Sequence, residues 1–239
     1  YDNELHSART RHPHLFQLLE RSDADLIALQ EITPTTLQQL LALPWVRERY
    51  YASDSPLGVT LAGSGSGKYG QLLLSKFPFA KYAASMQGAP SVALVFVRTR
   101  PNSLTLVSCS LVLFSLAQLE FGPQKRVIVG QFLINGRRLV VPVVHLTSDH
   151  KAVSTERRRE QLKSIFAYLQ HVGCLSSGYC VLVGDFNFDD DEHHELLQQP
   201  PQPSNSAEAR FIDAWLRVHG SLDGGYTFDP ETNDVARLA

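Results

Sequence analysis

The chain has 239 residues, 44% of them hydrophobic and 19% charged, with a formal net charge of -2 at pH 7. That apolar content excludes a disordered segment, and the near-neutral balance excludes a protein that coats nucleic acid through bulk charge, so any polyanion specificity must be local. No Pro/Gly/Ser-rich linker separates two self-sufficient halves, which predicts a single domain over residues 1–239.

Leu15, Leu18 and Leu19 lie at helical spacing within residues 12–21, and Asp25-Leu26-Ile27-Ala28-Leu29 then reads as a short buried strand ending at Gln30-Glu31. Thr33-Pro34 marks a helix start, with Leu37, Leu40 and Leu41 as its apolar stripe. From residue 57 to 97 short apolar segments broken by glycine predict a β meander, with strands over 71–75 and 92–97. Gly63 to Lys68 lacks the spacing of a P-loop and reads as a hairpin loop. The segment Pro101 to Ala117 carries no acidic or basic side chain and is too short and interrupted for a confident membrane span; it reads as an insertion at about 98–118.

Val127-Ile128-Val129 and Leu139 to Val144 predict paired strands joined across Asn135-Gly136, with His145 at the second strand's end. Ser154 is placed to cap a helix whose apolar face is Leu162, Ile165, Phe166 and Leu169. Arg157, Arg158, Arg159 and Lys163 lie elsewhere on it; a solvated face is favoured over contact with substrate phosphates. A Pro-rich connection at 200–203 and a helix around 211–218 complete the order. Cys109, Cys174 and Cys180 form an odd set without metal-ligand spacing, which suggests neither a disulfide framework nor a zinc site and points to an intracellular location, nucleus or cytoplasm.

The most chemical stretch is Tyr179-Cys180-Val181-Leu182-Val183 running into Gly184-Asp185-Phe186-Asn187. The apolar run predicts a strand covered on both faces, and two-residue alternation would point Asp185 and Asn187 the same way if the strand continued. A carboxylate there can ligate a hard cation or orient and deprotonate a water, while a carboxamide donates to a phosphate oxygen without adding repulsion. The competing explanation is turn capping at a strand end.

Together, Leu29-Gln30-Glu31, His145-Leu146-Thr147-Ser148 and Gly184-Asp185-Phe186-Asn187 resemble the motifs of the endonuclease/exonuclease/phosphatase superfamily, the DNase I-like fold. Within it the chain is most similar to the 5′-acting tyrosyl-DNA phosphodiesterases, whose late segments Phe211 to Trp215 and Tyr226 to Asp229 also resemble, with Phe228 in place of a tryptophan. The resemblance implies an α/β fold, a four-layer sandwich of two packed mixed β-sheets flanked by helices. It also implies a metal-dependent phosphodiesterase acting on nucleic acid or its end adducts.

On that resemblance Glu31 ligates Mg²⁺ or Mn²⁺, and Asp185 handles the attacking water. Asn187 and His145 bond the phosphoryl oxygens, Ser148 either contacts phosphate or supports a residue that does, and Phe228 either stacks on a base or aromatic leaving group or packs into the core. Phosphoinositide or sphingolipid hydrolysis on the same fold, and noncatalytic binding of nucleic acid or protein, are the alternatives. The family's first strand ending in Asn and its terminal Ser-Asp-His have no counterpart between Tyr1 and Ala239, and Ser148-Asp149-His150 stands mid-chain, where that motif does not belong. The expectation is therefore a domain truncated at both ends, poorly active alone, with other domains in a longer polypeptide.

Overall fold

The computed structural model describes residues 8–54, 69–77, 80–84, 90–91, 110–115, 126–134, 137–148, 152–171, 179–188, 192, 211–221 and 224–225. Helix α1 (Ala8–Ser22) precedes strand β1 (Leu26–Ile32), so Gln30 and Glu31 lie inside the strand rather than beyond it. Helix α2 (Pro34–Ala42) starts where the sequence places it: Thr33 is extended, its hydroxyl accepts the Thr36 N–H at 3.1 Å, and Pro34 supplies a first-turn residue that needs no amide partner. A short helix α3 (Pro44–Arg49), which the periodicity does not reveal, follows directly and buries Trp45 and Val46.

The remaining strands are β2 (Tyr51–Ala52), β3 (Gly70–Ser75), β4 (Ala80–Ala84), β5 (Pro90–Ser91), β6 (Ser110–Ser115), β7 (Arg126–Ile134), β8 (Arg137–His145), β9 (Tyr179–Cys180) and β10 (Val183–Asp185), with helices α4 (Ala152–His171) and α5 (Ala214–His219). They build two sheets. One runs β1-β3-β2 and is antiparallel throughout its described strands; the other runs β10-β8-β7-β6-β4-β5, is mixed, and has β9 beside β8. Two compact units are distinguished, Leu18–Phe188, which holds both sheets, and Tyr1–Gln17 with Asp189–Ala239.

The expected hairpin forms, β7 and β8 pairing from Ile128 opposite Val143 to Ile134 opposite Arg137. The expected meander does not: β3 belongs to the small sheet, while β4 and β5 join the large one and β4 runs parallel to β6. Strand-like periodicity identifies a strand without identifying its partner. Ser110–Ser115, within the segment read as an insertion, forms β6 between β4 and β7. Residues 92–97, 63–68 and 200–203 lie outside the described residues.

Alternation along β7 and β8 explains how the sheets meet. Ile128 and Phe132 on β7, and Val141 and Val143 on β8, face Leu73 of β3 in one buried cluster, with Leu26, Ala28 and Tyr51 packed against it. The opposite faces are buried too, Val127, Val129, Val140 and Val144 being at most 1% exposed, as a sheet with helices on its outer side requires. The architecture is thus two packed sheets flanked by helices, a four-layer α/β sandwich. No helix among the described residues is long and apolar enough to cross a membrane.

Two local expectations are corrected in the flanking elements. Helix α4 begins at Ala152, so Ser154 is a buried residue of its first turn and not its cap. Leu162, Ile165, Phe166 and Leu169 are buried as expected, but Arg158 is also wholly buried, while Arg159 and Lys163 do lie on a solvated face, paired to Glu156 and Glu160. Helix α5 is capped by the Asp213 carboxylate, which accepts the Leu216 N–H at 2.7 Å, and ends in Gly220, which is left-handed at φ +73.

Candidate active site

β8 and β10 run parallel in register, Val183 opposite Val143, Gly184 opposite Val144 and Asp185 opposite His145. β9 keeps the same offset, Leu139 opposite Tyr179, so residues 179–185 follow β8 as one interrupted strand. Among the described strands it lies at the sheet's edge, and Tyr179 is 58% and Val181 49% exposed, which corrects the expectation of cover on both faces. His145 lies two residues beyond Val143, on the face that meets the small sheet, and Asp185 sits beside it. The carboxyl ends of two parallel strands therefore place an imidazole and a carboxylate at the margin of the inter-sheet core.

Gly184 is required for this approach. It is left-handed at φ +131, and a Cβ there would lie 2.0 Å from the Val144 carbonyl oxygen. After Asp185 the extended geometry ends, because Asn187 turns back at φ +51. The Asn187 amide N–H donates to Asp185 Oδ1 at 2.9 Å, and its side-chain Nδ2 donates to the Leu146 carbonyl at 3.1 Å. Asp185 and Asn187 are thus brought together by an Asx turn, not by strand alternation as the sequence suggests. One Nδ2–H and the Oδ1 lone pairs of Asn187 lie outside that bond.

Glu31 comes from the other sheet. The β1–β3 register slips between Leu29, opposite Leu72, and Ile32, opposite Gly70, so Gln30 and Glu31 together face Gln71 in a bulge, with Glu31 at φ +57. The bulge turns the Glu31 carboxylate, 64% exposed, towards β8: its Oε1 stands 4.0 Å from His145 Nε2, and Asp185 Oδ2 stands 3.9 Å from the same nitrogen. Those separations permit charge interaction and exceed a hydrogen bond. The imidazole itself is 4% exposed.

Three of the expected residues, Glu31, His145 and Asp185, therefore surround one point, and Asn187 is bonded into it. Ser148 is exposed three residues beyond His145, and Phe228 lies outside the described residues. Neighbours that the sequence does not reveal complete the site. The Tyr69 ring, ahead of β3, has its centroid 6.2 Å from that of His145. From α4, Gln161 bonds the Thr147 N–H and hydroxyl, and Arg158 bonds the Thr147 carbonyl. Tyr69 follows a glycine-rich stretch with no periodicity, and an arginine in a basic run reads as solvated, so neither carries a local signal.

The donors suit a hard cation. Among the described residues no group of three or more His, Cys, Asp or Glu gathers into a metal cage. Mg²⁺ asks for less, since it keeps several waters and takes one or two carboxylates plus substrate phosphate oxygens. An exposed carboxylate, Glu31, near a second, Asp185, meets that requirement.

A family model described as Endonuclease/Exonuclease/phosphatase family matches residues 7–237. No curated protein matches the sequence. Among solved structures, TDP2 from D. rerio complexed with single strand DNA product is similar at a TM-score of 0.60 and 16% identity, over 95% of this chain and 70% of that one. TDP2 from C. elegans gives 0.60 and 15%, over 95% of this chain and 55% of that one, so this chain spans little more than half its length. Sphingomyelinase C from Streptomyces griseocarneus gives 0.51 and 18%, over 78% and 62%. At such identities the likeness is one of fold.

Proposed function

Because the chain belongs to the endonuclease/exonuclease/phosphatase family, we propose that it is a metal-dependent phosphodiesterase that hydrolyses nucleic acid or adducts on nucleic-acid ends. The observation that carries the reading is the convergence of Glu31 and Asp185, from two sheets, onto the Nε2 of His145. Two carboxylates beside a buried imidazole, next to a carboxamide, form a set able to handle a water and an anionic ester together.

In this reading Asp185 orients the attacking water and takes its proton on Oδ2, while Oδ1 stays engaged with the Asn187 amide. Asn187, held by Leu146, offers its second Nδ2–H to a phosphoryl oxygen, and His145 donates from the opposite side. Glu31 would hold Mg²⁺ or Mn²⁺, which when bound would supply Lewis-acid stabilisation of charge on the phosphoryl group. Ser148, at the rim, contacts a flanking phosphate, and Phe228 stacks on a base or aromatic leaving group.

Glu31→Gln tests the assignment, because it keeps shape and removes charge. Wild-type turnover of a single-stranded oligonucleotide should require Mg²⁺, and the variant should need on the order of tenfold more for half-maximal rate, with a matching loss of Mn²⁺ affinity by direct titration. Unchanged Mn²⁺ affinity would remove Glu31 from the metal site.

A further inference from the structure

We infer that Arg158 and Gln161 are positioning residues that act through Thr147 to set where His145 and Ser148 stand. The inference rests on the phosphodiesterase reading above and assigns the two residues no contact with substrate. Every polar group of Thr147 is taken by this pair: its N–H donates to Gln161 Oε1 at 3.1 Å, its hydroxyl accepts from Gln161 Nε2 at 3.0 Å, and its carbonyl accepts from Arg158 Nη1 at 2.9 Å. The preceding residue is held from the other side, Leu146 donating its N–H to the Asp185 carbonyl at 2.9 Å and accepting from Asn187 Nδ2. The three peptide units between His145 and Ser148 are therefore fixed by α4 on one side and by the strand bearing Asp185 on the other.

Packing alone does not call for these side chains. Residues 158 and 161 are neighbours on one helix face, and the apolar stripe further along α4 already supplies the buried surface. Burying a guanidinium carries a desolvation cost that an apolar residue of similar volume avoids. What the charged and amide groups add is direction: they fix the Thr147 peptide, and with it the origin of the imidazole that faces Glu31 and Asp185. Displacements of about 1 Å at a reacting group cost on the order of 100-fold in rate, so such a clamp has kinetic leverage.

The test is Gln161→Met, which keeps length and loses both bonds, with Thr147→Val as a second variant that loses only the hydroxyl. With Mg²⁺ and a 5′-blocked oligonucleotide, Gln161→Met should lower kcat roughly 10- to 100-fold with KM within about twofold, and Thr147→Val should lower it in the same direction. In a His145→Ala background the Gln161→Met change should cost less than about threefold, because the group it positions is gone. Equal losses in both backgrounds, or no loss in the first, overturn the inference.

A second measurement does not depend on turnover. Relative to the α4 amides, the Thr147 amide should exchange about tenfold faster in Gln161→Met, with the His145 ring resonances shifted. If the wild-type protein hydrolyses no phosphodiester, the functional reading fails while this comparison still decides the clamp; unchanged exchange and ring signals refute it.

Discussion

Asp185→Asn is expected to lower turnover about 100- to 10,000-fold while leaving the fold intact. The separation of the two effects follows from the two oxygens of Asp185. One accepts the Asn187 amide and closes the turn; an amide oxygen accepts that bond equally well, so the turn and the Asn187–Leu146 bond survive. The other faces His145 Nε2 at 3.9 Å, and only there does the substitution remove the charge that would take a proton from water. Steady-state kinetics with Mg²⁺, beside a thermal melt, check this. A loss of less than about threefold would show that another group handles the water.

Gly184→Ala should produce the largest loss of stability from a single methyl group. The added carbon would meet the Val144 carbonyl at 2.0 Å and its amide nitrogen at 2.8 Å, and these are backbone atoms of the β8–β10 parallel pair, which cannot swing aside as a side-chain tip can. Backbone strain at φ +131 adds to the clash. Strain and overpacking together amount to about 2 to 6 kcal/mol. The melting temperature should fall by roughly 2–4 °C per kcal/mol. Because relief of the clash requires β10 to move off β8, Asp185 should also leave His145. A melting temperature within about 2 °C of wild type would mean that the strand pair is not closed as described.

Much of the site's framework is legible in the sequence because local chemistry encodes it. Thr33-Pro34 states a helix start, Asn135-Gly136 states a two-residue hairpin, and apolar runs ending in polar residues state strand ends at His145 and Asp185. The geometry that makes them a site is not local. The bulge that turns Glu31 exists only because two residues of β1 face one of β3, a property of pairing that neither strand carries alone. Asn187 reaches Asp185 through a left-handed turn where alternation predicts a strand, and the two predictions give the same neighbours for different reasons. Arg158 is the clearest failure of local reading. A basic run signals solvent, whereas its buried member donates to the Thr147 carbonyl, a partner reached only through the chain's return from β8 into α4.

The same distinction separates family from substrate. The family model's match over residues 7–237 establishes membership, whereas the groups proposed to choose a substrate are Ser148 and Phe228. The central claim is tested most directly by incubating the protein with Mg²⁺ and a 5′-phosphotyrosyl oligonucleotide, an unmodified oligonucleotide, a soluble inositol phosphodiester and sphingomyelin. The expected result is slow but detectable Mg²⁺-dependent hydrolysis of one or both oligonucleotides, stopped by chelation, with the inositol and choline esters intact. Hydrolysis of the headgroup esters alone, or of none of the four, would contradict it.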